Sequence, residues 1–283
     1  MKRGYITLAQ NNNDTDYIRQ AYALALSIKN TQSTVNEFAI CVEDKTKVPK
    51  KYLKVFDHVI EIPGGDEAKD EDWKIHNKWK YFEMSPFDET VILDADMIFT
   101  DDVSHWWDFL TTRNVHFTST VHNYKGQVAT SDYYRKTFTR NELPNVYTAF
   151  FYFNKSKEAE ELFKLAEIIY QNWEEVYFEF LPLQRPKQVS GDIVFALATK
   201  ILGLNSTDDM LFPSFVHMKS KMMDIPDTHI IEEWTTSLPT YFTDKGILKV
   251  SNYKQSLPFH YHIKSWLTPK VVKQLEEIYD GQK

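Results

Sequence analysis

Asp94 and Asp96 stand one residue apart at the end of Thr90-Val91-Ile92-Leu93, and apolar residues resume at once in Met97-Ile98-Phe99. Val, Ile and Leu suit a buried strand, and an acid at its end is costly unless something there compensates the desolvation. If the backbone turns at Ala95, both carboxylates converge on one divalent cation. Mg²⁺ and Mn²⁺ favour carboxylate oxygens and keep positions open for the phosphates of a substrate. Ala95, being small, lets the backbone approach a nucleotide closely. The bland alternative is a solvated turn closing a strand. The apolar run in front favours a metal site at the carboxyl end of a central strand, where open α/β sheets bind ligands.

The elements that must position these acids follow from periodicity. Gly4 to Ala9 reads as a strand, followed by a polar loop from Gln10 to Asp16. An amphipathic helix starts at Tyr17, with Ile18, Ala21, Tyr22, Ala25, Leu26 and Ile28 on or near one face, capped by Asp14, Thr15 or Asp16. Phe38 to Val42 is a second strand, Lys50 to Phe56 a short basic helix, and His58 to Ile62 a third strand. Pro63-Gly64-Gly65-Asp66 then marks a turn without the context of a phosphate loop. Glu71 to Met84 reads as a helix leading into the strand that carries the acids. This alternation predicts an α/β fold with a parallel sheet and right-handed crossovers. Asn114 to Val121 and Val146 to Phe153 are further strands, and helices are expected over Lys157 to Tyr170, Asp192 to Leu202 and about Pro269 to Tyr279.

The 283 residues, 42% hydrophobic and 15% aromatic, suffice for a sizeable core, and 8 Gly with 11 Pro argue against repeats and long flexible linkers. A single domain over 1–283 is expected. The lone cysteine, Cys41, lies in an apolar strand and reads as a buried thiol, which excludes an internal disulfide framework. No stretch approaches the roughly 20 apolar residues of a membrane span, and the first apolar run is too short for a signal peptide. The expectation is a soluble, cytoplasmic protein. A net charge of −7 disfavours broad binding to nucleic acid but leaves room for a local basic groove.

Several segments together resemble the GT-A glycosyltransferases, most closely the glycogenin and bacterial lipopolysaccharide galactosyltransferase type (glycosyltransferase family 8), in order from Gly4 to Trp266. Lys78 precedes Asp94 by sixteen residues, as a Lys precedes the Leu-Asp-Ala-Asp strand end of that family. The resemblance implies that Lys78 reaches the nucleotide-sugar, with Lys80 as the fallback, and that Asp94 and Asp96 hold the metal. Thr7-Leu8-Ala9-Gln10 matches the family's first strand end, so Leu8, Ala9, Gln10 and Tyr17 are expected around the nucleoside, although the loop before Tyr17 is longer here. Ser190-Gly191-Asp192 resembles the family's Gly-Asp-Gln, with Ile193 in place of Gln. Asp192 then faces a sugar or acceptor hydroxyl; as a bare sequence feature it is also an ordinary helix cap. His260-Tyr261 and Lys264-Ser265-Trp266 resemble the closing His-Phe-x-Gly and Lys-Pro-Trp, two residues closer together and without the Gly. The resemblance implies that a histidine here completes the metal shell, His260 preferred and His262 second, and that Lys264 contacts the diphosphate. Strand alternation puts His260, His262 and Lys264 on one face and leaves open which histidine binds. Tyr147-Thr148-Ala149 stands where the family has Asn-Ser-Gly, which puts the donor sugar in question and admits a pentose or an unusual hexose.

The resemblance implies a mixed, mainly parallel Rossmann-like sheet flanked by helices, with nucleotide binding over about 1–104 and acceptor binding and closure over about 105–283. It implies transfer of a sugar from a nucleotide-diphosphate donor, a UDP-sugar, to a hydroxyl acceptor. Mn²⁺ (or Mg²⁺) is the expected cofactor, Lys264 adds charge stabilisation, and retention is expected. Inversion would need a carboxylate base, with Asp192 the first candidate. The acceptor is open between a glycan, a protein and a hydroxymethylated pyrimidine of DNA, since small enzymes of this kind occur in bacteriophages. For the last, the segment His122 to Pro144 interleaves Tyr124, Tyr133, Tyr134 and Phe138 with Lys125, Arg135, Lys136 and Arg140. The last helix is nearly neutral, so no stable membrane association is expected. A rival of another class is a non-catalytic nucleotide-sugar-binding protein. A sugar nucleotidyltransferase is disfavoured, because Gln10-Asn11-Asn12-Asn13 is not a Gly-rich basic loop.

Overall fold

A computed structural model describes residues 1–68, 74–130, 135–183, 189–207, 213–219 and 234–281. Its central sheet runs β3 (His58–Glu61), β2 (Phe38–Val42), β1 (Arg3–Leu8), β4 (Glu89–Leu93), β7 (Tyr147–Asn154), β6 (Val115–Thr118). The first four are mutually parallel, whereas β7 runs antiparallel to both β4 and β6. The sheet is therefore mixed and mainly parallel, as expected. Every residue of β2 and β4 is buried, which is why both read as near-continuous apolar runs in a sheet covered on both faces. From β1 the chain moves outward to β2 and β3, then crosses back to become β4 on the other side of β1. That reversal leaves a crevice beyond the carboxyl ends of β1 and β4, where Leu8 to Gln10 and Asp94 to Asp96 emerge.

The helix α1 (Tyr17–Thr31) is capped by Asp16, whose carboxylate accepts from the Arg19 amide at 3.0 Å. Its apolar residues are buried, and its outer side carries the closing helix: Tyr22 donates to Glu276 at 3.0 Å and Asn30 to the Leu275 carbonyl at 3.1 Å. After β3, the expected helix over Glu71 to Met84 is confined to a 3₁₀ turn (Lys78–Lys80) and α2 (Tyr81–Met84), while 71–73 lie outside the described residues. Asn77 supplies the reason. Its amide bonds Gln10 at 3.1 Å and Asp66 at 2.6 Å and its oxygen accepts from the Glu67 amide, so the segment is drawn into the Pro63–Asp66 turn instead of winding regularly. The expected basic helix at Lys50 to Phe56 is likewise only a 3₁₀ turn (Tyr52–Lys54), its Tyr52 stacked on Tyr22 at 3.9 Å.

Beyond β4, β5 (Met97–Ile98) leads to α3 (Trp106–Leu110), anchored by a Trp107 indole hydrogen bond to the Tyr5 hydroxyl at 3.0 Å. The strand expected to reach Val121 stops at Thr118, where the register against β7 breaks. In the segment that follows, which includes α4 (Lys136–Arg140), Tyr124 and Phe138 are buried, while Tyr133 and Tyr134 lie outside the described residues. After β7, α5 (Lys157–Gln171) begins at Ser156, whose hydroxyl accepts from the Ala159 amide, and α6 (Trp173–Phe180) follows it. α7 (Gly191–Leu202) ends on Gly203 at φ +64°, a left-handed cap that suits glycine.

The last third adds β8 (Val216–His217), α8 (Trp234–Ser237), β9 (Thr240–Phe242), β10 (Leu248–Val250), β11 (Tyr253–Lys254), β12 (Phe259–His260) and α9 (Pro269–Gly281). Strands β5, β12 and β8 form a small sheet of their own. It matters because β5 follows the acids directly, so its pairing sets what stands against them. No helix among the described residues is long and apolar enough to cross a membrane.

Gly4 in β1 faces the Phe87 ring so closely that an added Cβ would lie 2.3 Å from it. Gly4→Ala should cost about 1–3 kcal/mol through overpacking, read as a lower urea midpoint at unchanged slope.

Candidate active site

A cleft of about 430 Å³ opens beyond the ends of β1 and β4, within the usual range for a small-molecule site. Of the residues picked out from the sequence it gathers Leu8, Gln10, Tyr17, Lys78, Asp94, Ala95, Asp96, Asp192, His260, His262 and Lys264 on one wall system. Ala9 is not on that wall: it is buried, its amide donating to the Cys41 carbonyl at 2.8 Å to hold β1 on β2. Lys80 is not there either. Its ammonium is spent on the Pro63 and Gly65 carbonyls at 3.1 and 2.8 Å and on Glu67 at 3.1 Å, so it is no substitute for Lys78.

The two acids have different surroundings. Asp94 is part-exposed to the cleft; its amide is held by the Ala149 carbonyl at 3.0 Å and its carboxylate by the Lys78 ammonium at 2.8 Å. Asp96 is buried, and both the Lys264 ammonium and His260 Nε2, the latter at 3.0 Å, bond the same carboxylate oxygen. Burial alone would raise the Asp96 pKa, but the charges of His260 and Lys264 outweigh it and hold the carboxyl well below the ordinary range. Lys264 in turn is raised, the attraction of Asp96 overcoming its own desolvation.

Among the described residues Asp96, His260 and His262 form a group whose donor atoms all lie within 4.8 Å of one another. The small sheet builds it. Phe259 pairs with Ile98 and His260 with Met97 across β5 and β12, and the Tyr261 amide donates to the Asp96 carbonyl at 3.2 Å. Continued alternation is not what brings His262 and Lys264 in, contrary to expectation. β12 stops at His260, His262 turns the chain at φ +60°, and Lys264 opens a 3₁₀ turn (Lys264–Trp266). Burial, reinforced by the neighbouring charge of His260, pushes His262 down to about 3. It is a neutral imidazole at pH 7, the form that ligates a cation. One carboxylate and two imidazoles with room left over suit a divalent transition ion better than the oxygen-seeking Mg²⁺. Asp94 is outside this group of three.

Asp192 does not cap α7; it lies in the first turn and reaches sideways. One carboxylate oxygen accepts from the Thr148 amide and hydroxyl at 2.9 and 2.8 Å, the other from Arg135 at 2.9 Å. Burial would raise its pKa, but Arg135 and the Thr148 donors win and lower it. The Thr148 hydroxyl also receives the Lys78 ammonium at 3.4 Å. Asp94, Lys78, Thr148, Asp192 and Arg135 thus form one continuous polar chain across the cleft floor. Gly191 permits it, since a Cβ there would stand 3.0 Å from the Thr148 hydroxyl and 3.4 Å from Lys78 Cδ. Arg135 is buried beneath the cleft with its guanidinium 3.6 Å from the Phe138 ring and 4.1 Å from the Tyr147 ring. Ile193, which stands where the resembled pattern has Gln, is buried in the core.

The cleft residues that went unread in the sequence include His217, Phe215 and Lys219, all on or beside β8. Their short run, Phe215-Val216-His217-Met218, carries no spacing relation to the acids. They meet the site only because β8 pairs with β12, His217 opposite His260.

No family model matches this sequence, and neither does any curated protein. Solved structures do. The galactosyltransferase LgtC, solved in complex with donor and acceptor sugar analogs, superposes with a TM-score of 0.54 at 12% identity, over 98% of this chain and 95% of that one. The chain has the GT-A fold. The glycosyltransferase GlyE of Streptococcus pneumoniae TIGR4 matches with a TM-score of 0.48 at 11% identity over 98% of this chain and 61% of its own, so this chain spans about three fifths of GlyE. Mouse xyloside xylosyltransferase 1 matches with a TM-score of 0.45 at 11% identity, over 70% of this chain and 82% of its own.

Removing Arg135 strands the Asp192 carboxylate. Arg135→Met should cost about 3 kcal/mol in urea unfolding at pH 7. Because the native Asp192 pKa is lowered, its share of wild-type stability is present above the unfolded value near 3.9 and is lost as pH falls below it. The gap between wild type and variant should therefore narrow below about pH 4.

Proposed function

We propose that this chain is a metal-dependent glycosyltransferase that takes a sugar from a nucleotide-diphosphate donor, a UDP-sugar, and passes it to a hydroxyl acceptor with retention. The observation that carries the reading is the meeting, at the carboxyl end of β4 in a GT-A fold, of two carboxylates, two lysines and two histidines from segments far apart in sequence. The nucleotide-binding part is then about 1–104, and about 105–283 supplies Asp192, the histidines and Lys264.

Asp96, His260 and His262 would hold the cation, Mn²⁺ or Mg²⁺, and Asp94 would contribute the second carboxylate of the site. When bound, that cation neutralises the charge that builds on the diphosphate as the anomeric bond breaks. Lys264 and Lys78 each neutralise one of the acids, and each would turn its ammonium to a phosphate oxygen of a bound donor. Leu8, Gln10 and Tyr17 line the nucleoside end; the Leu8 amide is already tied to the Tyr81 hydroxyl at 2.8 Å, and Gln10 to Asn77. Lys78, Thr148 and Asp192 face the sugar.

Asp192 bears on the stereochemistry. A carboxylate that already accepts three hydrogen bonds and has a lowered pKa is a poor general base. That supports retention through front-face attack, the departing phosphate taking the proton, over inversion with Asp192 as base. The acceptor is a glycan or protein hydroxyl. A DNA base is less favoured, because Tyr124 and Phe138, two of the aromatics that would stack on it, are buried, and Arg135 is committed to Asp192.

A panel of nucleotide-sugars with Mn²⁺, read by thermal shift and by mass spectrometry of added sugar, tests this on wild type and Asp96→Ala. A UDP-sugar should raise the melting temperature of wild type only, and Lys264→Ala should lower turnover about 10²-fold. No metal-dependent nucleotide effect on wild type would sink the proposal.

A further inference from the structure

Resting on the metal reading above, we propose that His217 is a positioning residue that holds the cation-binding imidazole of His260 by stacking on it. A metal-bound histidine ordinarily passes its second ring nitrogen to a carbonyl or carboxylate, which fixes the plane of the ring and its tautomer. His260 lacks this. Its Nε2 lies 3.0 Å from Asp96, and its buried Nδ1 has no hydrogen-bond partner among the described residues. Its Nδ1 side is therefore open to another kind of support.

The ring of His217 lies 4.8 Å from that of His260 and within 21° of parallel. The Phe215 ring adds a tilted contact to His260 at 5.7 Å. His217 is itself well fixed. Its backbone pairs with His260 across β8 and β12, its amide donates to the His122 carbonyl at 2.9 Å, and the next amide, Met218, donates to the His260 carbonyl at 2.9 Å. Its ring packs edge-on against Tyr147 at 6.3 Å and Phe215 at 5.6 Å, and its buried Nδ1 likewise has no partner among the described residues. That nitrogen does not account for the ring, and a contact the ring does make is the face it lays on His260. His217 is not one of the three residues whose donor atoms cluster, which are Asp96, His260 and His262. It acts on the cation through His260, as a flat wall that replaces the missing hydrogen bond. A phenyl ring offers the same wall without a nitrogen.

The test titrates Mn²⁺ alone into the purified full chain and reads free Mn²⁺ by electron paramagnetic resonance, for wild type, His217→Phe and His217→Ala. Melting curves without Mn²⁺ check that each variant is folded. If His217→Ala does not fold, His217→Leu, which fills the space without a π face, takes its place. Loss of the ring should weaken Mn²⁺ binding roughly 10-fold or more, the scale of removing an outer contact to a metal ligand, while His217→Phe stays within about 3-fold of wild type. If His217→Phe binds as poorly as His217→Ala, a ring nitrogen is required and the stacking role is wrong. If His217→Ala binds like wild type, His217 does not position His260. If wild type itself binds no Mn²⁺, the metal reading fails first, and that result is visible without any variant.

Discussion

An ionised carboxylate cannot stay in a protein interior unless cations or hydrogen-bond donors meet it, and the structure around Asp96 is arranged by that requirement. β4 is buried throughout and delivers Asp96 to a buried position just past its end. His260 and Lys264 answer its charge from more than 160 positions later in the chain. The closing segment is held in place to do so: β12 pairs with β5, Arg19 of α1 donates to the Leu267 carbonyl, and α9 packs back on α1. The amino- and carboxyl-terminal parts of the chain therefore meet at one buried charge. The Lys264 ammonium and His260 together meet that charge.

A second polar line crosses the cleft from Asp94 through Lys78 and Thr148 to Asp192 and Arg135. It couples the β4 acid to the first turn of α7, so the two ends of the cleft share one set of hydrogen bonds. Gly191 matters here for lack of a side chain, which lets Thr148 and Lys78 approach the helix start. The substitution of Tyr147-Thr148-Ala149 for an Asn-Ser-Gly pattern acquires a physical meaning in this setting. The Tyr147 ring covers the Arg135 guanidinium at 4.1 Å, while the Thr148 hydroxyl links Lys78 to Asp192.

Local pattern made much of this readable. Four buried strands announced themselves as apolar runs, and the position of the acids at the end of one of them implied the cleft. The residues that failed to be read depend on contacts remote in sequence. His217 has no signal of its own because its role comes from the pairing of β8 with β12. Lys78 and Lys80 look alike in sequence, yet one meets Asp94 and the other closes the Pro63–Asp66 turn. The helix before β4 was over-read because Asn77 is drawn into a side-chain network that competes with helical winding. Alternation predicted that His260, His262 and Lys264 would converge, and they do, but through a left-handed turn at His262 that no periodicity encodes.

The most direct test of the central claim is an anomalous-scattering map from crystals grown with Mn²⁺ and UDP. The account predicts a Mn²⁺ peak coordinated by Asp96, His260 and His262, with Lys264 swung from Asp96 toward the diphosphate. A cation bound elsewhere, or an Asp96 still bridged to Lys264 with no ion between the histidines, would contradict it.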